Sequence, residues 1–107
     1  MPPIAKLHHR LTLEAPDESA DGAGGVVRGW SALGEVWASI EPIGANDAVV
    51  AGKRLGALTH RVTLRHRGDL TLNHRFRLGA RVFTVRALRD PDEQIRFLEC
   101  LVAEERP

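Results

Sequence analysis

Apolar and polar residues alternate in short runs along most of the chain, and this two-residue period predicts β-strands. In 7–14 (LHHRLTLE), Leu7, His9, Leu11 and Leu13 share one side against His8, Arg10, Thr12 and Glu14. In 33–41, Val36, Ala38 and Ile40 oppose Trp37, Ser39 and Glu41. Pro42 lacks an N–H and ends that ladder. In 58–67, His60, Val62, Leu64 and His66 form one row and Thr59, Arg61, Thr63, Arg65 and Arg67 the other. Two further strands, 74–79 and 81–90, flank a hairpin at Gly79-Ala80. The last segment, 94–105, fits two periods. Ile95, Leu98, Leu101 and Val102 partly match a helix, whereas Leu98, Cys100 and Val102 make a strand face. The preceding strand and the tight DPDE turn at 90–93 favour the strand.

Two stretches break the alternation. Residues 15–29 (APDESADGAGGVVRG) are rich in Pro, Gly, Ser and acids, and predict a long flexible loop. Loops of that length are commonly functional or mobile. Residues 44–56 (GANDAVVAGKRLG) predict a short inserted helix at about 45–54. Asn46 or Asp47 would cap it, and Lys53 and Arg54 would meet the negative end of its dipole. Six short strands with one inserted helix predict a mainly-β chain, a small six-stranded barrel or rolled sheet. Closure would remove sticky edges. At 107 residues the chain suits a single domain over 1–107.

Composition narrows the function. No apolar run approaches the ~20 residues of a membrane span. The opening MPPIAKLHHR has no signal-peptide apolar stretch. Cys100 is the one cysteine, which excludes an internal disulfide and fits a reducing compartment. Net charge is only +1, but ten basic residues and one acid fall between Lys53 and Arg89. That segment carries +9 and the remainder −8. Folding that kept the two apart would give unlike faces.

Candidate chemistry is sparse. His8 and His9 are adjacent and point to opposite faces of a strand. His60 and His66 lie roughly 20 Å apart at strand rise, too far to share a metal. Cys100 sits among Leu98, Leu101 and Val102, the setting of a buried, inert thiol. GAGG at 22–25 lacks the context of a phosphate loop. No catalytic, cofactor-binding or metal site is expected. The arginines remain. Arg61, Arg65 and Arg67 share one face and Arg75 and Arg77 another, with repeats of about 7 Å. Such a row suits duplex phosphates without sequence reading, or pairs with acids of this chain or a neighbour. With no tyrosine and few other aromatics, base stacking on single strands is disfavoured.

Five pieces in order carry a resemblance: KLHHRLTLE, GEVWASIEP, THRVTLRHR, FRLGARVFTVRALRDPDE and IRFLECLVAEE. Together they resemble the phage head–tail joining proteins, also called head-closure or stopper proteins, of tailed phages, prophages and gene transfer agents. No motif is shared over 15–29. The resemblance implies a small β-barrel with an inserted helix or loop, no catalytic residues and no cofactor. It implies a homo-oligomeric ring, of six or twelve copies, in the neck of a virion or phage-like particle assembled in the host cytoplasm. The expected partners are portal and adaptor proteins, tail terminator or tail tube proteins, and duplex DNA passing through the channel by weak contacts, with no membrane. Lys53, Arg54, Arg61, Arg65, Arg67, Arg75 and Arg77 are then candidates for the DNA channel or a subunit interface. Trp37 is a candidate core or interface anchor. The alternative function is a free-standing small β-barrel that binds nucleic acid through its arginine-rich face.

Overall fold

In a computed structural model, six antiparallel strands close into a barrel in the order β1-β2-β3-β6-β5-β4. They are β1 His9–Ala20, β2 Val26–Val50, β3 Lys53–Arg65, β4 Arg75–Leu78, β5 Arg81–Arg89 and β6 Phe97–Glu105. The structure describes residues 7–20, 22–50 and 53–105, and side chains outside 44–57. The mainly-β class and the strand reading of the last segment hold.

The inward rows are those the alternation picked out. Leu11, Leu13, Val36, Ala38, Val62 and Leu64 meet Phe76, Phe83, Val85, Leu98, Cys100 and Val102 in one core. Phe76 and Phe83 fill its centre and are fully buried. Burying such a side chain contributes about 1.5–3 kcal/mol. The seam is short: β1 meets β4 through Thr12↔Arg77, Leu13↔Phe76 and Glu14↔Arg75. That seam removes the outer edges of β1 and β4 along those residues. Since every neighbouring pair is antiparallel, β1, β3 and β5 finish at one mouth of the barrel and β2, β4 and β6 at the other.

Two expectations are corrected. The predicted loop over 15–29 is largely strand. β1 and β2 continue past the barrel as a two-stranded arm, paired from Glu14↔Ala32 to Ala20↔Val26. Its Gly-rich end includes Gly22 and Gly24, both at positive φ (81° and 85°) that glycine adopts without strain. The Pro, Ser and acidic residues that suggested a loop sit on a ribbon wet on both faces, where polarity carries no information about strand or coil. The predicted helix at 45–54 is also replaced by strand. β2 runs to Val50 and β3 starts at Lys53, with Asn46↔Leu58, Asp47↔Ala57, Val49↔Arg54 and Val50↔Lys53 paired. Residues 51–52 lie outside the described residues. The β-branched Val49-Val50 and the weak helix former Gly52 give the strand ladder the advantage once a partner strand is present.

The arm leaves the barrel at a β-bulge. Leu13 faces Gly34 but Glu14 faces Ala32, so Leu33 is the extra residue. Gly34 takes φ 143°, outside the range favoured by residues with a side chain. Bulges of this kind bend and re-aim a strand. The radius of gyration is 14.8 Å, against about 13 Å for a compact chain of this length, and the extents are 49 × 28 × 26 Å.

Candidate assembly surface

Among the described residues, no further strand pairs along either flank of the arm. β1 stops pairing with β4 at Glu14, and β2 starts pairing with β3 at Ala38. Among the described residues, seven large hydrophobics are exposed, and five of them lie on β2 between Val26 and Trp37 (Val26, Val27, Trp30, Leu33, Trp37). The other two, Leu72 and Ile95, sit on the β3–β4 and β5–β6 connections, at the mouth from which the arm rises. Concentrating bare apolar side chains in one region marks an interaction surface better than their number does.

Period two gives the arm unlike faces. One carries Pro16, Glu18 and Ala20 opposite Trp30, Arg28 and Val26. Its charges are matched internally: Glu18 pairs with Arg28 at 3.3 Å, and the Arg75 guanidinium lies 4.0 Å over the Trp30 ring. Arg75 also donates to Glu14 Oε1 at 2.7 Å, and Arg77 reaches Glu14 Oε2 at 3.3 Å. Glu14 is buried, so this clamp ties the arm's root to β4 by charge-assisted bonds. The second face carries Ala15, Asp17 and Ser19 opposite Ser31, Gly29 and Val27. Asp17 accepts a hydrogen bond from Ser31 Oγ at 2.8 Å and has no cationic partner among the described residues.

The arginine row does not survive folding as a free cationic stripe. Arg61 lies between Glu41 (3.7 Å) and Glu99 (3.5 Å), and Arg89 meets Glu99 at 2.7 Å. These pairs cross the outer face of β2, β3, β6 and β5, where Ser39, Thr63 and Glu99 align in register and are buried. Arg67 forms a two-pronged bond with Asp69, both contacts at 2.9 Å. That bond holds the Asp69 carboxyl below the usual range and raises the guanidinium. Arg75 and Arg77 share Glu14. Arg65 alone of the predicted residues with described side chains is exposed and has no ion pair among the described residues. Lys53 and Arg54 lie on β3 opposite Val50 and Val49, and their side chains fall outside the described residues. Glu14, Glu41, Glu99 and Glu104, brought by β1, β2 and β6, thus offset part of the +9 segment.

Trp37 is not a core residue. It points outward, 52% exposed, with the Arg10 guanidinium 4.8 Å over its ring. Its neighbours Val36 and Ala38 take the inward positions, so alternation turns Trp37 to the outer face. Cys100 is fully buried, and burial pushes its thiol up to about 12, so it stays protonated and unreactive. Among the described residues no three His, Cys, Asp or Glu side chains gather as a metal site.

The sequence reading missed Val26, Val27, Trp30 and Leu33. A signal was present: two β-branched residues and a tryptophan follow a Gly-rich turn at a distance that matches the preceding Pro16–Ala20 stretch. It was outweighed by composition.

Comparison with known proteins agrees with this architecture. A family model described as phage head completion protein matches residues 2–105. Among solved structures, a chain in the virion of a native gene transfer agent particle is 30% identical, with 92% of this chain and 93% of that chain covered and a TM-score of 0.62. A solution structure of a protein from Shigella flexneri 2a is 25% identical, with 94% and 95% covered and a TM-score of 0.74. No curated protein matches the chain. The chain belongs to the phage head completion protein family, which makes it a structural part of a phage-type virion that works with other head and tail proteins.

Proposed function

We propose that this head completion protein is a ring-forming subunit of the particle neck. It sits between the portal–adaptor end of the head and the tail, closes the head after DNA packaging and lines the exit channel. The observation that carries this reading is the arm: a barrel with its own buried core also extends a ribbon whose apolar residues it leaves bare. A protein built to act alone would lose nothing by omitting such a ribbon. A ring joins each copy to the next through two different patches, and arm and barrel wall are different. Six or twelve copies both suit such closure. The β2–β3 ribbon, with Lys53 and Arg54, is the segment assigned to the lumen.

Weak contact with DNA follows from the ion pairs. Arg61, Arg67, Arg75 and Arg77 each have a carboxylate within 4 Å, so phosphates would have to displace it. A channel through which DNA slides benefits from that.

The test is electron microscopy of particles carrying a subunit-specific label. The label is expected as a ring at the neck, and particles without the protein should lose packaged DNA or remain tailless. Label anywhere else overturns the reading. A gel shift with the isolated chain separates it from the nucleic-acid-binding alternative: tight duplex binding with a steep salt dependence would favour the latter.

A further inference from the structure

The second face of the arm and a strained corner of the barrel are complementary. Beside the end of β3 is a depression of about 420 Å³ lined by Arg65, His66, Ile95, Arg96 and Phe97. Arg65 there has no ion pair among the described residues, whereas Arg96 is engaged by Asp92 at 2.6 Å. Ile95 is 70% exposed and takes φ 56°, a left-handed conformation that is an outlier for a β-branched residue. The Asp90 carboxylate holds it there by accepting its backbone N–H at 2.8 Å. A bare isoleucine held in an unfavourable backbone state adds nothing to this chain's own core. Strain of this kind persists where it serves a contact.

On the arm, the Asp17 carboxylate lacks a cation, and Val27 beside it on the same face is 54% exposed. Arm and depression rise from the same mouth of the barrel, where β1, β3 and β5 end. Rotation about a ring axis preserves height along that axis, so patches that meet across a cyclic interface must lie at matching levels. Among the described residues of the arm, Asp17 and Glu18 stand against Arg28 alone, an acidic surplus that suits Arg65.

We propose that in the assembled ring the arm of each copy lies on the barrel of a second copy, setting Asp17 against Arg65 and Val27 against Ile95 in that depression. This rests on the ring reading above. Both patches are self-matched in every copy, and this is why a second copy, rather than an unrelated partner, is the occupant.

Three single variants and one combination test it in particles, with incorporation measured by quantitative blotting and the ring viewed by electron microscopy. Asp17→Arg and Arg65→Glu, each alone, should lower incorporation at least about tenfold by placing like charges together. The two combined should recover most of the loss. Ile95→Asn should move two readouts in opposite directions: the melting temperature of the isolated chain rises, because asparagine tolerates the left-handed state, while incorporation falls. Wild-type incorporation of either single charge variant, or no recovery in the combination, overturns the contact while a labelled neck ring leaves the proposed function standing. Absence of a neck ring in wild-type particles removes both.

Discussion

Within β2, residues 35–41 and residues 26–32 share the two-residue period but have opposite fates. In the barrel, Val36 and Ala38 pack against Leu11, Leu13 and Phe76 while Trp37 and Glu41 face out. In the arm, Val26, Val27 and Trp30 are exposed whichever way they point. What differs is what lies beyond the strand. The barrel segment has a sheet curling over one face, and the arm has solvent on both. An amphipathic period therefore marks a strand, but burial needs a second layer, which the arm does not find among the described residues.

The largest effect that would break the comparison lies in the barrel. Phe83→Ala should cost about 3–5 kcal/mol, read from denaturant unfolding. It should also expose Cys100 to thiol reagents that the folded chain resists. An unchanged unfolding midpoint would mean that the core described here does not hold the fold.

The clamp between the regions comes next. Glu14→Ala leaves Arg75 and Arg77 without their carboxylate and should cost about 2 kcal/mol. Hydrogen exchange should speed up in 15–20 and 26–32 more than in the barrel strands. Uniform acceleration would show that arm and barrel open as one unit.

At the joint itself, Gly34→Ala forces a side chain into φ 143° and should cost about 1 kcal/mol. A Cβ there meets nothing within 4 Å, so the cost is conformational rather than a clash. Thermal melting of Gly34→Ala against the parent chain reads that backbone cost directly.

In the arm, Val27→Ser should change the stability of the isolated chain by less than about 0.5 kcal/mol while reducing particle incorporation. A large stability loss would mean that the arm packs on its own barrel. Acid should have the smallest effect. The Asp69 and Asp92 carboxyls are held below their usual range by Arg67 and Arg96. Their contribution is fully present above the unfolded carboxylate value and is lost as pH falls through the lower folded one. Since both are on the surface, a melting series from neutral to acid pH should show only a slight drop from Asp69→Asn and Asp92→Asn relative to the parent chain.

Much of the barrel was legible from the alternation at 7–14, 33–41, 58–67 and 81–90, because a half-buried strand shows its inward row as every second residue. The arm was not, because a ribbon wet on both sides has no inward row, and its glycines, proline and acids are those of a loop. The helix expected at 45–54 failed for a related reason: local propensity there is weak in either direction, and a neighbouring strand decided it. The arginines show the limit most clearly. Their spacing was plain in the chain, but Glu14, Glu41 and Glu99, the carboxylates that meet Arg61, Arg75 and Arg77, come from strands distant in sequence, so that pairing was invisible until the sheet closed.

By itself, then, the amino-acid order determined that this chain makes strands and which side of each barrel strand turns inward. These depend on periodicity and residue type, which are local. Only the tertiary structure decided which charges cancel, that β1 and β2 outrun the barrel, and that Trp37 and Ile95 stay bare, because those outcomes depend on what lies across a strand or beyond its end.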